Sequence, residues 1–127
     1  MVVEDSPQVA ATLEVALDGM SGIEVTCLEG APEALDWLKG VRGDLVCALV
    51  TDLHMPGVDG FELIERVRAL PDYRKLPIIA LSGDTNPGTP ARALSSGADA
   101  FFAKPCSPVQ LRRRLAELMD ERRRVAE

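Results

Sequence analysis

Five polar side chains in this sequence share one circumstance: each stands at the end of a short apolar run. Glu4 and Asp5 follow Met1 to Val3, Asp52 follows Leu45 to Thr51, Ser82 ends the run from Pro77, and Lys104 follows Ala100 to Ala103. Taken singly, each has an ordinary reading as a helix starter, a turn residue, a loop hydroxyl or a solvated charge. Taken together they pose an electrostatic problem, because clustered carboxylates repel and need a hard cation or an ammonium beside them. Lys104 supplies the ammonium. With one histidine and no CxxC pair in the chain, the oxygen ligands favour Mg²⁺ over Zn²⁺. An Mg²⁺ held by few carboxylates still takes phosphate oxygens and water, so the set reads as a phosphoryl-handling site.

These residues can meet only if the apolar runs are neighbouring strands. Met1 to Val3, Ile23 to Leu28, Leu45 to Thr51 and Pro77 to Ser82 are continuously apolar or β-branched, as in strands covered on both faces, and Ala100 to Ala103 is a weaker fifth. Segments of helical spacing lie between them. The first opens at Ser6-Pro7, repeats Val9, Leu13, Ala16 and Leu17, and stops at Gly19. The second runs from about Pro32 through Ala34, Leu35 and Leu38 to Gly40, with the one tryptophan, Trp37, in its middle. Asp59 with Glu62 has capping-box spacing and precedes Leu63, Val67 and Leu70. Ser107-Pro108 with Gln110 opens the last, which carries Leu111, Leu115, Leu118 and Met119.

Pro87, Gly88 and Pro90 confine the fourth helix to about two turns, with Thr89 as its N-cap and Gly97 near its end. A short, loosely held or displaced helix is expected there. Strictly alternating strand and helix predict a doubly wound α/β sandwich of (βα)5 type with a parallel five-stranded sheet. Ligands of such a fold bind at the carboxyl ends of the strands, where all five polar residues fall.

At 127 residues the chain has the size of one domain, and its 46% hydrophobic content excludes disorder. The net charge of −6 is uneven, with the body to Cys106 acidic and the tail basic through Arg112 to Arg114 and Arg122 to Arg124. An acidic body argues against nucleic acid as a direct partner, and the tail is either a solvated helix face or a contact for an acidic partner or a dimer mate. No apolar run approaches the roughly 20 residues of a membrane span, and no leader pattern is present, so a soluble cytoplasmic protein is expected. Cys27, Cys47 and Cys106 are expected to be reduced thiols in the core.

The residues Val2-Val3-Glu4-Asp5, Thr51-Asp52-Leu53-His54-Met55-Pro56-Gly57-Val58-Asp59-Gly60, Ala80-Leu81-Ser82-Gly83 and Gly97 to Pro105 resemble, in order, the receiver domain of two-component response regulators. The resemblance covers nearly the whole chain and implies a flavodoxin-like sheet of order 2-1-3-4-5. It implies Asp52 as phospho-acceptor and Mg²⁺ bound by Glu4, Asp5, Asp52 and the backbone carbonyl of His54, with Asp5 direct and Glu4 through water. Ser82 is then the switch hydroxyl, Lys104 the phosphate-binding residue and Phe101 the switch aromatic. His54 and Asp84 take positions that border the phosphoryl group, where they either tune the lifetime of the aspartyl phosphate or are plain rim residues.

The implied donor is a sensor histidine kinase or a histidine phosphotransfer protein, and the implied output is contact with another protein. The resemblance also admits a homodimer through the face of the fourth helix, fifth strand and fifth helix. Residues 1–127 are read as one receiver domain, standing alone or cut from a longer protein. A pseudo-receiver that only makes protein contacts is the first alternative, disfavoured by the intact charged set. A haloacid-dehalogenase type of Asp-nucleophile phosphohydrolase is the second, and His54 occupies the position where that chemistry needs another Asp.

Overall fold

The computed structural model describes residues 1–20, 22–40, 46–55 and 57–126, with side chains as far as Glu121. In chain order the elements are β1 (Val2–Val3), α1 (Pro7–Asp18), β2 (Cys27–Leu28), α2 (Ala31–Lys39), β3 (Leu49–Asp52), α3 (Gly60–Ala69), β4 (Ile78–Ser82), α4 (Thr89–Ser96), β5 (Ala100–Ala103) and α5 (Pro108–Ala126). A single 3-10 turn at Pro71–Tyr73 joins α3 to β4. The strands form one five-stranded sheet in the order β2-β1-β3-β4-β5, and every pair is parallel. This is the flavodoxin-like doubly wound α/β fold that the sequence predicts.

The central strands β1, β3 and β4 are buried on both faces, which explains why they read as continuous rather than alternating apolar runs. Along β4, Ile78 and Ala80 join a core with Leu35, Leu38, Leu63, Ile64 and Val67 of α2 and α3. Ile79 and Leu81 join the opposite core with Leu13 and Leu17 of α1 and Leu111, Leu115 and Leu118 of α5. Three helix starts have the caps the sequence indicates. The Ser6 hydroxyl accepts from the Val9 N–H, the Asp59 carboxylate from the Glu62 N–H at 2.9 Å, and the Ser107 hydroxyl from the Gln110 N–H.

Three expectations need correction. The strand expected over Ile23 to Leu28 contributes only Cys27 and Leu28 to the ladder, because β1 offers it just Val2 and Val3 as partners. The fourth helix is not displaced: α4 packs against α3 and β5, with Thr89 and Ala93 buried. Gly88, rather than Thr89, is its N-cap, and Pro90 is accommodated in the first turn, where a missing N–H costs nothing. Cys47 is exposed, and Cys27 and Cys106 are only half-buried, so the free thiols are not core residues. Leu45 and the side chains of Arg122 to Arg124, singled out in the sequence, lie outside the described part of the chain.

Candidate functional site

Parallel pairing brings all strand ends to one edge. Asp52 is the last residue of β3, paired in register with Leu81 of β4, and Ser82 is the last of β4, paired with Ala103 of β5. Glu4 and Asp5 leave β1, whose other neighbour in the sheet is β3. One carboxylate oxygen each of Glu4, Asp5 and Asp52 lies within 4.8 Å of the other two. The acidic cluster inferred from the sequence therefore exists as a cluster in space.

Burial divides the three acids. Glu4 and Asp52 are buried, at 3% and 5% exposure, whereas Asp5 is exposed. The Lys104 ammonium lies 2.7 Å from Glu4 Oε2 and 3.3 Å from Asp52 Oδ2. The other Glu4 oxygen, Oε1, accepts the Ser6 N–H at 3.1 Å. Glu4 thus spends its oxygens on the protein, and Asp5 has no hydrogen-bond partner among the described residues.

Burial raises the Glu4 carboxyl above its ordinary pKa, and its bonds to Lys104 and Ser6 do not fully offset this. Burial is also the largest single influence on Lys104 and would lower it, yet the bonds to Glu4 and the charge of Asp52 together hold it above its ordinary value. An acid and a base shifted the same way both favour the protonated form. Three carboxylates against the one ammonium of Lys104 give the cluster a formal excess of negative charge, and such a cluster suits a hard cation. The donor set of three carboxylates fits Mg²⁺.

The carboxyl end of β3 is held from several sides. The His54 N–H donates to Asp52 Oδ1 at 3.3 Å, and the Thr51 hydroxyl donates to the Asp52 carbonyl at 2.9 Å. The Gly60 N–H donates to the Leu53 carbonyl at 3.0 Å. A Cβ at Gly60 would collide with the carbonyl oxygen of Asp52 and lie 2.6 Å from Leu53 Cα. Gly60 therefore lets the start of α3 press on the strand end that carries Asp52, a positioning role that the motif contained but its chemistry did not reveal.

Ser82 is fully buried, and its hydroxyl oxygen accepts the Asp84 N–H at 2.9 Å. Phe101 is half-buried on β5 and packs against the core of α2, α3 and α4. His54 and Asp84 face each other, with Nε2 and Oδ2 3.2 Å apart. Asp84 Oδ2 also accepts the Thr89 hydroxyl at 2.9 Å, and Oδ1 accepts the Asn86 N–H at 2.7 Å. These bonds hold the Asp84 carboxyl below its ordinary pKa, the Asn86 N–H contributing most. Sequence spacing gave no sign that Thr89 belongs to this set.

Residues 1–116 match the response regulator receiver domain family. An uncharacterized 14.6 kDa protein of Leptolyngbya boryana is 40% identical over 111 residues, which are 87% of this chain and 82% of that protein. The sensory/regulatory protein RpfC of Xanthomonas campestris is 31% identical over 99% of this chain, yet the chain spans only 17% of RpfC, and it likewise spans 17% of Protein RcaC of Microchaete diplosiphon. The crystal structure of the signal receiver domain of a signal transduction histidine kinase from Syntrophus aciditrophicus superposes with a TM-score of 0.82 at 32% identity, over 94% of this chain and 88% of that one. The chemotaxis response regulator CheY4 of Vibrio cholerae gives 0.80 at 27% identity, over 92% of this chain and 94% of that one. With the match running from the first residue into α5, the chain belongs to the response regulator receiver domain family of two-component signal transduction.

Proposed function

We propose that Asp52 accepts a phosphoryl group from the phosphohistidine of a sensor histidine kinase or a histidine phosphotransfer protein. The observation that carries this reading is a buried carboxylate at a strand end, 3.3 Å from the Lys104 ammonium and grouped with Glu4 and Asp5. In the transfer, an Asp52 oxygen forms the bond to phosphorus as the phosphorus–nitrogen bond breaks, and the imidazole nitrogen keeps the electron pair. A carboxylate suffices because the donor is activated and the transfer state is loose, so positioning and charge neutralisation do most of the work.

Glu4, Asp5, Asp52 and the carbonyl of His54 would hold Mg²⁺, which when bound supplies positive charge to the carboxylates and to the phosphoryl oxygens. A relative's structure supports that assignment: the receiver domain of sensor histidine kinase PA1611 from Pseudomonas aeruginosa, 28% identical, is described with a magnesium ion coordinated in its active site cleft. Lys104 is already paired with Asp52 and keeps its charge close to where phosphoryl oxygens would stand. A phosphoryl group adds charge near −2 and new acceptor oxygens, which draw in the Ser82 hydroxyl. Movement of Ser82 frees space for the half-buried Phe101 to turn inward, changing the surface of α4, β5 and α5. Residues 1–127 form one receiver unit whose output lies in another protein or in another domain of a longer chain.

The test is phosphate uptake. Incubation with Mg²⁺ and a phosphorylated histidine kinase should give acid-labile phosphate on the wild type and none on Asp52→Asn. Absence of uptake by the wild type would favour a pseudo-receiver, and uptake retained by Asp52→Asn would move the acceptor elsewhere.

A further inference from the structure

The two residues bonded to the reacting groups are also bonded to each other. The His54 N–H donates to Asp52 Oδ1, the Asp84 N–H donates to Ser82 Oγ, and the two side chains meet at 3.2 Å. From this pair two routes lead to α4. On one, Asp84 Oδ2 accepts the hydroxyl of Thr89, the first residue of the helix, whose side chain is buried. On the other, the His54 ring packs T-shaped against the Phe61 ring of α3, and the Arg92 guanidinium lies over that ring at 3.9 Å from its centre. Thr89 and Arg92 are three residues apart on α4, so both routes grip the same side of its first turn.

We propose that these contacts form a latch through which the state of Asp52 and Ser82 sets the position of the start of α4, with Asp84 as its central positioning residue. The first turn of α4 depends on this tie because its N-cap, Gly88, offers no side chain to the helix. Both inner anchors are bonds to groups that phosphorylation changes: one to a carboxylate oxygen of Asp52, the other to a hydroxyl that must turn toward the phosphoryl group. When Ser82 turns, the Asp84 N–H loses its acceptor, the Asp84 carboxylate shifts, and the Thr89 tie goes with it. The latch rests on the proposed phosphoryl transfer to Asp52 and adds to it a route to α4 that is separate from Phe101.

Amide hydrogen exchange across Arg92 to Leu94 tests it, with acid-labile phosphate measured on the same samples. In the wild type, exchange there should rise roughly tenfold on phosphorylation, the loss expected when a hydrogen bond to a charged group is given up. Thr89→Val removes the hydroxyl and keeps the volume and β-branching. It should exchange roughly tenfold faster before phosphorylation, change little afterwards, and still take up phosphate. Thr89→Ser should restore the wild-type response. Phosphate uptake by the wild type with no change at α4, or an unphosphorylated Thr89→Val as protected as wild type, would overturn the latch alone. No phosphate uptake by the wild type would overturn the functional reading and the latch with it.

Discussion

At the scale of single residues, the chemistry-bearing side chains were legible because each ends an apolar run, and in a parallel sheet such ends share an edge. The residue that lets them come close was not legible as such, since its importance is the absence of an atom. Gly60 opens α3, where alanine would gain up to about 1 kcal/mol of helix propensity. Against that, the new Cβ would meet the carbonyl of Asp52 and the Cα of Leu53, which are backbone atoms at the end of β3 and just beyond it and cannot rotate away. Overpacking of this kind costs about 1–3 kcal/mol and outweighs the propensity gain. Gly60→Ala should therefore lower stability by about 2 kcal/mol in urea unfolding and slow phosphate uptake by Asp52. Wild-type stability with wild-type uptake would show that α3 can back away freely.

At the scale of elements, the helices and the sheet order followed from periodicity, caps and alternation, whereas the ties between elements did not. Arg68 is the clearest case. Its Nε donates to the Gly97 carbonyl, one terminal nitrogen donates to the carbonyls of Tyr73 and Leu76, and the other pairs with Asp99 at 3.0 Å. Asp99 in turn accepts the Ile78 N–H that opens β4. One side chain of α3 thus fixes the entries to β4 and β5, the two strands that deliver Ser82 and Lys104. In sequence it is one arginine among fourteen basic residues, and its partners lie 5 to 31 positions away, so no local pattern marks it. Arg68→Met keeps most of the apolar stem and removes the donors. It should cost about 2–3 kcal/mol of unfolding free energy, because the carbonyls of Gly97 and Leu76 and the Asp99 carboxylate lose their partner together. A loss below about 0.5 kcal/mol would mean that water replaces the guanidinium at no cost. The misjudged α4 has a related cause: Pro87, Gly88 and Pro90 argue locally against a well-seated helix, and the contacts of Thr89 and Arg92 that seat it are tertiary.

At the scale of the whole molecule, the net charge of −6 is not spread evenly, and part of it gathers at the strand ends, where Glu4, Asp5 and Asp52 cluster and Lys104 pairs with Glu4 and Asp52. Glu4 and Lys104 both have folded-state pKa values above their ordinary ones. The stability each contributes is therefore fully present below its ordinary value and is lost as pH rises through its raised folded value. For Glu4 that loss begins above its ordinary 4.5, so the metal-free protein carries a growing penalty for ionising this buried carboxyl as pH rises from there. A divalent cation that binds the ionised cluster relieves that penalty and competes with protons for the same oxygens. Mg²⁺ should therefore raise the unfolding temperature, by the equivalent of about 2.7 kcal/mol at a hundredfold excess over its dissociation constant. The gain should be larger at pH 7.5 than at pH 5, and Asp5→Asn should reduce it at both. Thermal unfolding with and without Mg²⁺ at the two pH values measures this directly. An equal Mg²⁺ effect at both, or one that survives Asp5→Asn unchanged, would place the cation away from the strand ends and leave the acidic cluster balanced by Lys104 alone.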